Sequence, residues 1–173
     1  MVKGLSRSLR RGSTSNQHVQ KMTLPIRGLS IEVDGASGVG FGTKIIGDFP
    51  EGNILLLGAI AYLQFTGPGA AGLLDTWEGD FAIGSTPTAD ATLGGTDVDI
   101  IPSTPVGPAV AEASPRTRGV SAGALAGVVL DNTDGSLELN LNLIVDDASI
   151  SANDIAITVE GELYLTYTVM GDD

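Results

Sequence analysis

The chain has 173 residues and a formal net charge of −12 at pH 7, which is the length of one ordinary domain. It has no Cys and a single His, His18, so disulfides, thiolate nucleophiles and Cys-ligated metal centres are excluded, and a Ser-His-Asp triad or multi-His metal site has one imidazole to draw on. The charge is sharply divided: residues 1–27 hold six of the nine basic residues and no acid, giving +6, while residues 28–173 hold all 21 acids and carry −18.

The N-terminal segment lacks the continuous apolar core of a secretory signal, since Met22, Leu24 and Ile26 are interrupted by Thr23 and Pro25. Its Arg/Ser-rich, acid-free composition is shared with mitochondrial transit peptides, but Gly4, Gly12 and the run GSTSNQH break an amphipathic helix. It reads as an extended basic arm, 1–27, whose cations Lys3, Arg7, Arg10, Arg11, Lys21 and Arg27 are the candidate partner-binding residues. No aromatic residue is interleaved among them, which suits phosphate neutralisation or docking on an acidic protein surface and not base stacking. The acidic remainder does not suit wrapping a nucleic acid.

From residue 28 onward helical periodicity is absent from every long window, and Gly and Pro punctuate short apolar runs, the pattern of strands joined by turns. Eight strands are predicted: 28–34, 39–47, 53–65, 74–84, 97–101, 119–131, 136–145 and 155–169. The run Ile54–Phe65 is well short of the ~20 residues of a membrane-spanning helix and reads as buried core strand. In Leu137–Val145 the leucines fall on one face and Glu138, Asn140 and Asn142 on the other, predicting one packed and one wet side. Asp134-Gly135 predicts a hairpin joining 119–131 to 136–145. Pro102 is expected to close the strand 97–101. Five of the eight Pro lie in 85–118, predicting surface loops there, apart from a short helix over 108–113. In the last strand the inward row is interrupted by Gly161, expected to mark a bulge. The fold class is therefore all-β: an antiparallel β-sandwich, jelly-roll-like, occupying 28–173 behind the arm.

Three strings invite chemistry. GASGVGFGTK (35–44) lacks the Gly-Lys-[Ser/Thr] order of a phosphate loop and the spacing of a dinucleotide fingerprint, so it reads as a Gly-rich turn or bulged strand with close backbone approach. Asp131, Asp134, Asp146 and Asp147 do not follow the calcium-loop order and read as solvated turn acids. Trp77 beside Glu78 and Asp80 has the composition of a sugar site, but adjacent residues of a strand alternate faces. No catalytic, cofactor-binding or metal residue is assigned, and no enzyme activity is expected.

The strings IGDFPEGNILLLGAIAYLQF (46–65), DTWEGDFAIGSTPTADATLGGTDVDIIPSTP (75–105) and DNTDGSLELNLNLIVDDASIS (131–151) resemble small structural proteins of tailed bacteriophages, notably marine ones. The resemblance covers about 28–170. It implies a virion component, and among these a capsid decoration (cement) protein bound to the major capsid protein, commonly β-rich and homo-oligomeric, often trimeric. Alternatives within the same resemblance are a neck, tail or head-fibre component, or a virion protein touching nucleic acid through the arm. No membrane partner and no cofactor are expected.

Overall fold

A computed structural model describes residues 19–34, 40–68, 73–121, 126–146, 150 and 154–170. Nine strands are assigned: β1 (Gln20–Val33), β2 (Gly40–Asp48), β3 (Ile54–Thr66), β4 (Gly79–Gly84), β5 (Ile101–Val106), β6 (Thr117–Val120), β7 (Val129–Leu130), β8 (Glu138–Val145) and β9 (Ile155–Val169). They form two antiparallel sheets. The first has the order β1-β9-β3-β6, with the two-residue β7 also on β3, and the second has β2-β8-β4-β5. Except for the β4–β5 pair and the step from β6 to β7, each successive strand crosses to the opposite sheet. With β7 set aside, that is the strand order of a jelly roll, a topology that alternation alone leaves open within the expected sandwich class.

Alternation drives the packing. In β9, Ile155, Ile157, Val159, Leu163, Leu165 and Tyr167 are buried, and Thr158, Glu160, Glu162 and Tyr164 are exposed. The inward row meets Ile54, Leu56, Ala61, Leu63 and Phe65 of β3 in one core that also takes Phe81 and Ile83 from the second sheet and Trp77 from the segment before β4. Phe65 and Phe81 lie 5.4 Å apart between ring centroids, so aromatic rings bridge the two sheets. The apolar run 54–65 is thus a single central strand, β3, between β9 and β6.

Several expectations are corrected. Gln20–Arg27, counted with the arm by its charge, is the first half of β1, paired with β9 from Gln20 opposite Tyr167 onward. The hairpin between 119–131 and 136–145 does not form: β6 and β7 pair with β3, whereas β8 lies between β2 and β4. Asp134-Gly135 does turn the chain, with Gly135 at φ 70°, but the turn switches sheets. Asn132 is fully buried beneath it, donating to the carbonyls of Phe49 and Pro50 and accepting from Leu137 N–H at 2.7 Å. Pro102 closes no strand. Gly95–Val98 is a short 3-10 turn, and β5 begins at Ile101 and contains both Pro102 and Pro105, which an edge strand tolerates because its outer side needs no ladder donors. Residues 108–113 form a two-residue turn instead of a helix, with Val110 and Ala113 bridged.

The second sheet also departs from the expected wet face. Asn140 and Asn142 are 1% and 0% exposed, because residues 85–100 fold back over the outer side of β8. Asn142 holds that cover. Its Oδ1 accepts from Thr43 Oγ1 at 2.7 Å and from Thr88 N–H at 3.0 Å, and its Nδ2 donates to the carbonyls of Thr86 and Asp97, both at 3.0 Å. All four hydrogen-bonding positions of the amide are used. Ser85 adds a second tie, with N–H and hydroxyl donating to the Asp99 carboxylate at 2.8 and 2.6 Å.

Gly161 sits at φ 146°, and a Cβ there would lie 2.0 Å from the carbonyl oxygen of Tyr62, so only glycine lets β9 approach β3 at this point. The irregularity expected there lies in the partner strand. Between Ile26 and Leu29, β1 carries an extra residue relative to β9, and Gly28 has φ 59°. Gly42 explains part of the Gly-rich string: a Cβ would stand 2.3 Å from the Glu32 carbonyl oxygen, which is the close backbone approach read from the sequence. Residues 35–39 of that string lie outside the described residues.

The two buried asparagines of β8 differ in pairing, since Asn140 Nδ2 has no partner among the described residues. Replacing Asn142 by Ala orphans groups on β2 and on the 85–100 segment and is expected to cost about 3 kcal/mol or more. Asn140→Ala removes an already unpaired donor and should cost far less, a contrast measurable by urea denaturation of the two variants.

Candidate functional site

Of the six arm cations, Lys3, Arg7, Arg10 and Arg11 lie outside the described residues. Lys21 and Arg27 are exposed on β1, at an edge of the first sheet. The Trp77, Glu78 and Asp80 group does not converge. Trp77 is fully buried and its indole N–H donates to the carbonyl of Glu112 at 2.8 Å, so its ring belongs to the core and offers no sugar platform. The acids separate as well: Asp131 and Asp134 precede β8 and Asp146 follows it, and Asp147 lies outside the described residues. Asp131 accepts from the N–H and hydroxyl of Thr133, and Asp134 from those of Ser136; these are local turn bonds. Among the described residues no group of three or more His, Cys, Asp or Glu is placed to hold a metal ion, and no helix is long and apolar enough to cross a membrane.

What Trp77 supports is a strained turn. Ala111 and Glu112 have φ values of 50° and 71°, a left-handed pair that suits Gly or Asn. The conformation is held from several sides. Glu112 N–H donates to Asp75, its carbonyl accepts from Gly67 N–H and from Trp77, and Ala109 N–H donates to the Trp77 carbonyl. Val110 is left 77% exposed at the tip.

The outer face of the first sheet is where apolar, aromatic and charged side chains gather in the open. Leu57, Tyr62 and Tyr164 are exposed, and with Ile60 and Val120 they crown β3, β9 and β6. A groove of about 330 Å³ runs over Gly58 between Leu57, Ile60, Val120 and Tyr164, lined also by Ser121 and Thr166. Leu57 protrudes because β3 carries an extra residue between Leu56 and Gly58 relative to β9. Register orders the neighbours across the sheet: Tyr62 lies opposite Glu162 of β9 on one side and Arg118 of β6 on the other. The Arg118 guanidinium stands 6.0 Å from the Tyr62 ring centroid, within range of a cation–π contact. The Tyr62 and Tyr164 rings meet edge to face at 6.5 Å, and the Tyr164 hydroxyl donates to Glu162 Oε2, a bond that pushes the phenol above its ordinary 10.0. A second pocket, beside it, brings Arg27 and Arg116 together with Glu160 and Glu162. Of the described cations, only Lys44 lies on the second sheet.

Sequence reasoning missed this face because it counted 53–65 as uniformly core. The legible signal was apolar residues at outward positions: Ile60 and Tyr62 alternate with buried Ala59, Ala61 and Leu63, and a solvated face does not require them. No protein-family model matches the chain, and no curated protein matches it.

Two kinds of carboxylate give opposite responses to pH. Burial raises Asp99 above the ordinary 3.8, outweighing the Ser85 hydrogen bonds that lower it. Asp131 is lowered by the backbone and then the side chain of Thr133, and Asp134 by the side chain and then the backbone of Ser136. A carboxyl raised in the folded state contributes most below 3.8 and loses that contribution as pH rises through its folded value; lowered ones contribute above 3.8 and lose it on acidification. Asp99→Asn should therefore gain stability relative to the wild type between about pH 3 and about pH 7, read from urea midpoints at each pH. Glu112→Gly, relieving the left-handed turn, is expected to raise stability by about 1 kcal/mol in the same assay at neutral pH.

Proposed function

We propose that the protein is a non-enzymatic structural component of a virion, a decoration protein that binds and stabilises the major capsid lattice through its basic N-terminal segment. The observation that carries this reading is the division of charge: +6 with no acid in residues 1–27, and −18 in the rest. A segment of that composition gains little from contact with water-exposed cationic or apolar surfaces and much from an acidic one, where each Lys or Arg finds a counter-charge. An extended arm covers a large area and meets its ordering cost only on assembly. The acidic jelly roll remains in solvent, where its net charge opposes aggregation. The likeness of 46–65, 75–105 and 131–151 to tailed-phage structural proteins points the same way, and the jelly roll is a fold that capsid components share with lectins and cupins.

The truncation that tests the arm must stop before β1, because Gln20–Val33 pairs along β9. A chain lacking residues 1–18, and a full-length chain with Lys3, Arg7, Arg10 and Arg11 changed to Ser, are each mixed with particles built from the major capsid protein and sedimented. Full-length protein is expected to co-sediment at a copy number that follows the capsid lattice, less so as salt rises. Both altered chains should stay in the supernatant while retaining the folded circular dichroism of the wild type. Normal incorporation of either would overturn the role of the arm, and a copy number matching a single ring or spike would favour a neck, tail or head-fibre location.

A further inference from the structure

The outer face of the first sheet carries charge in columns. Along β9 the outward residues Glu160 and Glu162 are acidic; along β3 Gln64 and Tyr62 are neutral; along β6 and the residue before its start, Arg118 and Arg116 are basic. Tyr62 therefore sits midway in a row that reads negative, neutral, positive. The next row, through Ile60, reads Tyr164, Ile60, Val120 and is apolar throughout. The outer columns stand two strand spacings apart, roughly 10 Å.

Across β9, β3 and β6, with β1 and its Lys21 and Arg27 left outside the contact, this face is complementary to itself. A two-fold axis lying between two facing sheets and parallel to β3 keeps each row at its own height and exchanges the β9 column with the β6 column. Arg118 of one copy then faces Glu162 of the other, twice over, and Arg116 faces Glu160. Tyr62 meets Tyr62 on the axis, Tyr164 meets Val120, and the protruding Leu57 side chains of the two copies meet beside the grooves over Gly58. We infer that this face joins two copies of the chain in an isologous dimer, sheet against sheet.

Three features favour a second copy over a different partner. The rows are paired in sign about one line, a property that an isologous contact needs and a foreign partner does not. The composition, aromatic and aliphatic at the centre with arginines beside it, is that of an interface centre. The charged groups are also tied in place before contact, Glu162 by the Tyr164 hydroxyl and Arg118 over the Tyr62 ring, which lowers the ordering cost of association. On the other broad face, residues 85–100 cover the outer side of β8 at Asn142. The dimer does not rest on the virion reading: a protein that fails to join particles can still dimerise, and the two assays are separate.

The full chain is examined by sedimentation equilibrium at moderate salt. The wild type is expected to be a dimer. Arg118→Glu and Glu162→Arg, each at an exposed position, should weaken dimerisation by about tenfold or more through facing like charges, and the double variant Arg118→Glu with Glu162→Arg should restore it. Because the chain has no Cys, Gln64→Cys supplies a single thiol near the axis, and a bis-maleimide of roughly 10 Å span should link two copies through it, whereas Glu138→Cys on the second sheet should give no linked pair. A monomeric or trimeric wild type, single reversals that leave the dimer intact, or a double variant that stays dissociated would overturn the inference.

Discussion

The amide of Asn142 governs the shape of the molecule as a working surface. It lies at the centre of the second sheet, fully buried, and each of its four hydrogen-bonding positions is taken by a different group on β2 or the 85–100 segment. A polar side chain in that position is tolerated only because it is completely satisfied. The consequence reaches beyond stability. By holding 85–100 against β8, Asn142 covers one broad side of the sandwich, and the two sides of the jelly roll cease to be equivalent. The first sheet keeps its outer face, and the exposed aromatic residues, the protruding Leu57 and most of the described cations collect there.

Sheet edges are managed by different means. β1 carries Pro25 and the extra residue at the Arg27-Gly28 step, β2 carries an extra residue between Ile45 and Gly47 relative to β8, and β5 carries Pro102 and Pro105. β6 has four residues. Prolines, bulges and short strands all discourage lateral addition of another strand. Association through an edge is thus disfavoured by construction, and the broad face is the surface left for it.

Much of this architecture was legible in the residues. The alternation of 155–169 gave strand, length and inward row, and the twelve-residue apolar run was correctly read as core strand. What escaped were the relations between segments. Asp134-Gly135 is a turn by its backbone chemistry, but whether a turn joins neighbours or switches sheets depends on what else can pair with β3 and β8, and that is a long-range choice. The asparagines of β8 look wet in isolation because periodicity reports two faces and not what covers them; only the return of 85–100 decides it. Pro102 and Pro105 argue against a central strand, as they should, and the strand they occupy is an edge. The exposed face followed the same logic in reverse: Tyr62 and Ile60 were absorbed into an apolar run whose two sides have different surroundings. The basic arm was drawn by charge, whereas the boundary in the fold follows hydrogen bonding and falls before Gln20.

That last boundary has a mechanical meaning. β1, which follows the N-terminal segment in the sequence, is zipped to β9 from the pair Gln20 and Tyr167 to the pair Val33 and Ile155. A tension applied to the segment along the strand axis is shared as shear over the whole length of that ladder, where many hydrogen bonds resist together, instead of opening a loop one bond at a time. Because β9 is flanked on its other side by β3, the load passes on to the central strand of the core. A load entering at Gln20 yields only when the sheet itself gives.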